Sequence, residues 1–364
     1  MKIPFGNYTL ESFYNVLTTH PEQYRMMKIL CFNAYFKSWA PSDKFVTLEG
    51  IFRKHGFRLT QMGDIRELET SYKDPETDEL IPVKYYAYLS PEDQILRCFT
   101  TASALEIEKT IHPISLESGL YHLWISPSAF EQIKNAIISD RPHTKITFFS
   151  ASRRPSMGFK GKIRPDIERT IMYYGDDGKE TLEEFKYYYG VVPRTIQFHI
   201  PGIIDMQISA RGIFTYMGGE MDFLLSFYEK AVEIALAVRR ILESSRLDIV
   251  SVRTAKKELK VPYMIPWIVD FSQPLDSSGC EVLIEELSKH QFTLYNHIIL
   301  KGSLRFDATV VDETKKSIFE ISATKDRMII SPRYETSFDS FLHFLETVVE
   351  NFDPNATCKS IYEA

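Results

Sequence analysis

The chain has 364 residues, of which 44% are hydrophobic and 25% charged. That composition belongs to a globular protein with a sizeable core, and it excludes collagen-like, wholly disordered and helical membrane-bundle chains. With 43 Lys+Arg against 49 Asp+Glu and a net charge of −6, any nucleic-acid site has to be a local feature.

Residues 9–39 read as helix, with Tyr14, Leu17, Met26, Leu30, Ala34 and Trp39 near helical spacing and Pro21 dividing the run. Residues 44–62 mix helix and strand signals. Between 64 and 80 seven acids outweigh two bases around Asp74-Pro75, which predicts an exposed acidic loop or hairpin tip. Strands are predicted at 83–89 and 95–100, a helix at 103–115 capped by Ser103, a strand at 120–125, a helix at 127–139 opened by Ser126 or Pro127, and a strand at 145–149. This alternation predicts a small α/β unit, so 1–152 reads as an N-terminal helical plus α/β region.

Residues 153–169 read as a basic linker, with six bases against Asp166 and Glu168. Beyond it, 170–258 has the order β-α-β-β-β-α, with strands at 171–174, 195–200, 204–209 and 213–217 and helices at 181–189 and 220–242. Residues 259–364 read β-α-β-β-β-β-α, from a strand at 267–271 and a helix at 280–290 to a last helix at 338–352 with Thr336 and Asp339 as a capping pair. The expected fold class is therefore mixed α/β and α+β. An N-terminal α/β region precedes two candidate β-α-β(3-4)-α units with antiparallel sheets and helices on one face. In topology alone, this order resembles the saddle-shaped repeat of TATA-box-binding proteins and, more loosely, ferredoxin-like modules.

Cys31, Cys98, Cys280 and Cys358 include no close-spaced pair, and they read as free thiols in a reducing compartment. No apolar N-terminal stretch of signal-peptide length is present, so a cytoplasmic chain with no membrane partner is expected. Gly161-Lys162 is followed by Ile163 rather than the Ser or Thr a phosphate loop needs. A Rossmann glycine fingerprint, a nucleophile elbow, a His-Glu-x-x-His motif and zinc-spaced cysteines are all missing. Ser322 and Lys325 fit Ser-x-x-Lys, but in a strand and turn rather than at a helix start. No cofactor is implied.

The sharpest local signal is the basic segment. Arg153, Arg154, Lys160, Lys162 and Arg164 could contact phosphates, with Phe159 as a stacking surface. Arg211-Gly212 before Phe214 and Tyr216 is a weaker echo of an RNA-recognition strand. The main expectation is a non-enzymatic binding protein that contacts nucleic acid through this segment. The alternative is a metal-dependent nuclease, with Asp307 and Glu320 on consecutive strands holding Mg²⁺ and Lys325 reaching back from a turn. A third reading is a structural or regulatory subunit that docks other proteins. Tyr187, Tyr188 and Tyr189 cannot all face one core, and residues 337–364 carry five acids, Asp339, Glu346, Glu350, Asp353 and Glu363, against Lys359, so the last helix offers an acidic outer face. Trp124 and Trp267 read as core, and the nine scattered histidines, His112, His122, His143, His199, His290 and His297 among them, as surface or hydrogen-bonded residues rather than ligands.

Overall fold

The first helix stops earlier than its apolar spacing predicts. The structure, a computed structural model, describes residues 1–34, 41–117, 119–153, 161–164, 167–243, 247–253, 258–264, 266–300, 304–333 and 336–360. Helix α1 (Leu10–Thr19) begins at a capping box formed by Thr9 and Ser12 and buries Phe13 and Leu17. After a single 3-10 turn the chain enters strand β1 (Lys28–Ala34), where helix was expected. Residues 29–34 of β1 are all buried. Such a run carries no period that separates a buried strand from a buried helix. Pairing on both sides decides the matter, because β1 lies antiparallel between β5 (Ile95–Thr100) and β11 (Ile213–Gly219).

β1 is the middle of an eleven-stranded sheet. From one edge run β2 (Arg58–Met62), β3 (Ile65–Lys73), β4 (Leu80–Leu89) and β5. Beyond β1 and β11 come β10 (Ile204–Ser209), β9 (Val192–Ile200), β7 (Lys145–Arg153) and β8 (Arg169–Tyr174), while β6 (Leu120–His122) adds to the end of β1. The ladders are antiparallel, including those within residues 80–153. The first region is therefore α+β in its pairing, and the whole described chain is mixed α+β. Helices α1, α4 (Pro127–Asp140), α5 (Gly178–Tyr189) and α6 (Met221–Glu243) supply Phe13, Ile133, Leu182 and Tyr228 to one continuous core. The other face of the first strands is covered by Leu48 and Phe52 of α2 (Pro41–Lys54) and by the segment after α3 (Ala104–Thr110).

Two expectations change here. Residues 153–169 join β7 to β8, which are hydrogen-bonded neighbours, so the segment is a hairpin connection and not a linker between separate cores. The sheet runs straight across the expected 152/170 boundary. The acidic stretch is also mostly strand. Glu67 and Glu69 lie on β3 and pair with Lys84 and Arg58, leaving only 74–79 as the tip.

A hairpin of β12 (Leu247–Arg253) and β13 (Glu258–Met264), which no sequence signal marked, precedes the second large sheet. That sheet has the order β15 (Phe292–Leu300), β16 (Arg305–Asp312), β17 (Ser317–Thr324), β18 (Arg327–Pro332), β14 (Trp267–Asp270), β19 (Thr357–Ser360). Helices α7 (Ser277–Lys289) and α8 (Phe338–Asn351) contribute Leu283, Leu287, Phe341, Phe344 and Val348 to its core. Within this sheet β14 is internal, whereas its counterpart β8 sits at the edge of the other sheet, so the two expected units do not share an arrangement. Among the described residues no helix is long and apolar enough to cross a membrane.

Helix α8 departs most from expectation. Ser337 is its N-cap. Asp339 is buried, pairing with Lys315 and accepting the Gly119 N–H. Asp353 is buried and accepts from the Ser272 N–H and hydroxyl. These two acids of the predicted outer face are thus turned inward.

Candidate functional site

Where α8 meets the large sheet, a cleft of about 480 Å³ opens. That volume is in the range of small-molecule sites. One wall is a stripe on α8: His343, Glu346, Thr347, Glu350 and Asn351 all line the cleft, and their three- and four-residue spacing places them on one helical face. The opposite wall is the large sheet, through Tyr121 and His122 of β6, Ser152 at the end of β7, Arg194 and Thr195 of β9, and the turn at 209–211. His290, just past α7, also lines the cleft.

The two glutamates are one turn apart, and their carboxylates are only 13% and 16% exposed. Buried carboxylates demand partners. Glu346 accepts a hydrogen bond from the Tyr121 hydroxyl and faces His122 Nε2 at 3.0 Å. Glu350 accepts from Trp124 Nε1 at 2.9 Å and pairs with the Arg194 guanidinium, whose Nε donates to Ser152 Oγ at 2.6 Å.

These surroundings drive the two acids apart. Burial works against the charged form of Glu346. His122, the Tyr121 hydroxyl and Arg211 outweigh it and hold the carboxyl below its ordinary value. Burial and the neighbouring Glu346 charge push Glu350 above its ordinary value, with Arg194 and Trp124 offsetting only part. Burial beside Glu346 also raises the Tyr121 hydroxyl. Two carboxyls with divergent affinities for protons can serve as a base and an acid in one site.

A second device lies behind His343. Its Nδ1 is 3.2 Å from Oδ2 of Asp312, a fully buried carboxylate at the end of β16 that also accepts from Ser340 Oγ at 2.8 Å. Burial opposes the Asp312 charge, but His343, the Lys315 N–H and Ser340 together hold the group below its ordinary value. A carboxylate on Nδ1 fixes the ring's tautomer and leaves Nε2 for other work. His290 is held likewise, since its Nδ1 lies 2.8 Å from the Glu286 carbonyl and must donate to it.

The residues singled out in the sequence fall elsewhere. Arg153 is buried and donates to the Tyr189 carbonyl at 2.9 Å, so it does not present itself to a phosphate. Arg154, Phe159 and Lys160 lie outside the described residues. Lys162 packs over the Tyr187 ring, 3.6 Å from its centroid, and Arg164 is exposed nearby in chain. Tyr187 and Tyr188 are exposed, while Tyr189 packs against the core. Asp307 and Glu320 share the outer face of their sheet, but each carries its own cation, Arg305 at 2.8 Å and Arg333 respectively. Lys325 is in the β17–β18 turn, where its carbonyl accepts from Leu275. Among the described residues no cluster of three or more His, Cys, Asp or Glu side chains is placed to hold a metal ion.

Trp124 and Trp267 are buried, as expected. Sequence reasoning passed over His343 and misplaced Glu346 and Glu350. The one available signal was their spacing, because polar residues at 343, 346, 347, 350 and 351 form a continuous stripe. A polar stripe reads as solvent-facing until something covers it.

Residues 130–211 match the family described as AF_0896_M, family middle domain. This stretch runs from α4 to the turn that carries Arg211, and it supplies the Ser152, Arg194, Thr195 and Ser209 side of the cleft. The chain is also similar to an uncharacterized protein of Archaeoglobus fulgidus, 24% identical over 315 residues, covering 84% of each chain.

Proposed function

We propose that the cleft between α8 and the large sheet binds a small polar molecule and carries an acid–base pair able to move a proton on it. The observation behind this reading is the opposed environment of Glu346 and Glu350. Both carboxyls are buried and both have donors, but at Glu346 burial is outweighed by His122, Tyr121 and Arg211, whereas at Glu350 burial and the Glu346 charge outweigh Arg194 and Trp124. Glu346 would be the more acidic partner and Glu350 the one that takes up a proton more readily, with His343 oriented by Asp312 as a further proton acceptor.

Carbon-detected NMR titration of the glutamate carboxyls in the ligand-free protein tests this reading, with Glu346→Gln and Glu350→Gln for assignment. Glu346 should titrate below and Glu350 above the ordinary value of 4.5. Glu346→Gln should bring Glu350 down, because it removes the adjacent negative charge. Titration of both groups on the same side of 4.5 would dismiss the acid–base reading.

A second reading keeps nucleic acid as a partner. Its support is the surface where Lys162 meets the exposed ring of Tyr187, with the Tyr188 ring beside it, which combines a cation with stacking faces. Fluorescence anisotropy with single-stranded RNA and DNA across a salt series checks it. Binding that falls with salt and is lost in a Lys162→Ala/Tyr187→Ala variant would support the reading, and unchanged binding would end it.

A further inference from the structure

Each acid of the cleft already has two protein partners, so the charge that would anchor a ligand comes from other groups. Glu346 is engaged by Tyr121 and His122, and Glu350 by Trp124 and Arg194. Arg194 is in turn committed to Glu350 and Ser152. Arg211 differs. Its side chain is exposed at the cleft wall and forms no ion pair among the described residues. Its charge still reaches the interior, where it favours the ionised forms of Glu346 and Tyr121.

The turn that carries Arg211 is rigidly held. The Ala210 N–H donates to the Arg194 carbonyl at 2.8 Å, and Ile125 N–H donates to the Ala210 carbonyl at 2.8 Å. Gly212 has φ of +67°, and a Cβ there would lie 2.5 Å from the Leu123 carbonyl oxygen, so only glycine permits this close approach. The backbone beneath Arg211 is therefore fixed before any ligand arrives. His290 and His343 each have Nδ1 occupied, by the Glu286 carbonyl and the Asp312 carboxylate. Their Nε2 atoms remain, able to donate when protonated and to accept when neutral.

We infer that the molecule taken by this cleft bears an oxyanion group, a phosphate or a carboxylate, held by Arg211 together with the Nε2 atoms of His290 and His343. This rests on the reading of the cleft as a small-molecule site. A guanidinium presents a planar fork of donors that matches two anionic oxygens at once, and charge-assisted bonds of this kind are among the strongest available.

The test uses the full chain, with imidazole ¹⁵N resonances followed during titration with sodium phosphate and, separately, sodium succinate at constant ionic strength. At least one anion should shift the Nε2 signals of His290 and His343 saturably, and which one does so separates a phosphate ligand from a carboxylate one. Arg211→Gln, a change at an exposed side chain, should weaken that binding by about tenfold or more. Silence of both resonances with both anions overturns the inference, as does unchanged affinity in Arg211→Gln. Either failure leaves the Glu346 and Glu350 titrations of the ligand-free protein untouched. Ordinary glutamate titrations with anion binding intact would instead remove the acid–base reading and keep the oxyanion site.

Discussion

Lys315 is a cation buried where the two halves of the chain meet, and replacing it with methionine should loosen their contact. Its side chain is 1% exposed and lies 3.2 Å from Asp339. The ammonium donates to the carbonyls of Ser115 at 2.8 Å, Glu117 at 3.1 Å and Leu120 at 2.8 Å, all in the segment leading into β6. Burial lowers the lysine's affinity for its proton, and Asp339 works against that loss. Methionine keeps most of the stem's volume, so a cavity contributes little. The cost comes from Asp339, whose Oδ2 would keep only the Gly119 N–H at 3.1 Å, and from the three carbonyls that lose their donor. Breaking a buried pair from one side costs about 3–5 kcal/mol. Urea unfolding followed by tryptophan fluorescence measures it, since Trp124 stands in the same junction. Asp339→Asn supplies the other arm of a double-mutant cycle, and the double variant should cost less than the sum of the singles by about 1–3 kcal/mol. A loss below about 1 kcal/mol for Lys315→Met, or strict additivity, would refute the idea that this pair couples the halves.

Two further outcomes follow from the same junction. Asp312 is held below its ordinary value of 3.8 in the folded chain, so the unfolded chain binds more protons and stability falls as pH drops through and below that value. Asp312→Asn should therefore flatten the acid limb of a stability–pH curve measured by urea midpoints, and an unchanged limb would show that Asp312 carries none of it. Gly212→Ala places a Cβ 2.5 Å from the Leu123 oxygen at a φ of +67°. It should cost about 1–3 kcal/mol by chemical denaturation and displace Arg211, whereas a neutral substitution would mean that the turn yields.

Local signals carried much of the secondary structure. Ser126 and Pro127 marked the start of α4, and Ser103 is the expected cap of α3, with Glu106 completing a capping box that was not expected. These succeed because capping and turn chemistry are settled within four residues. The strand at 28–34 was not legible, because a fully buried run has no amphipathic period. The hairpin role of 153–169 was hidden for another reason. A Gly- and Arg-containing connection looks the same whether it joins two domains or two neighbouring strands, and only the β7–β8 pairing distinguishes them.

Composition, charge and caps followed from the chain itself, since they depend on residue type or on neighbours along the sequence. The cleft did not. Tyr121 and Glu346 are 225 residues apart in sequence, and Trp124 and Glu350 are 226 apart. The spacing of 343, 346, 347, 350 and 351 put a polar stripe on one face of α8, but it could not say whether water or protein would cover that face. Docking of α8 against the large sheet answered that. It buried two carboxyls side by side among unlike partners, and these give them unlike affinities for a proton, because desolvation and neighbouring charge act through space and not along the chain.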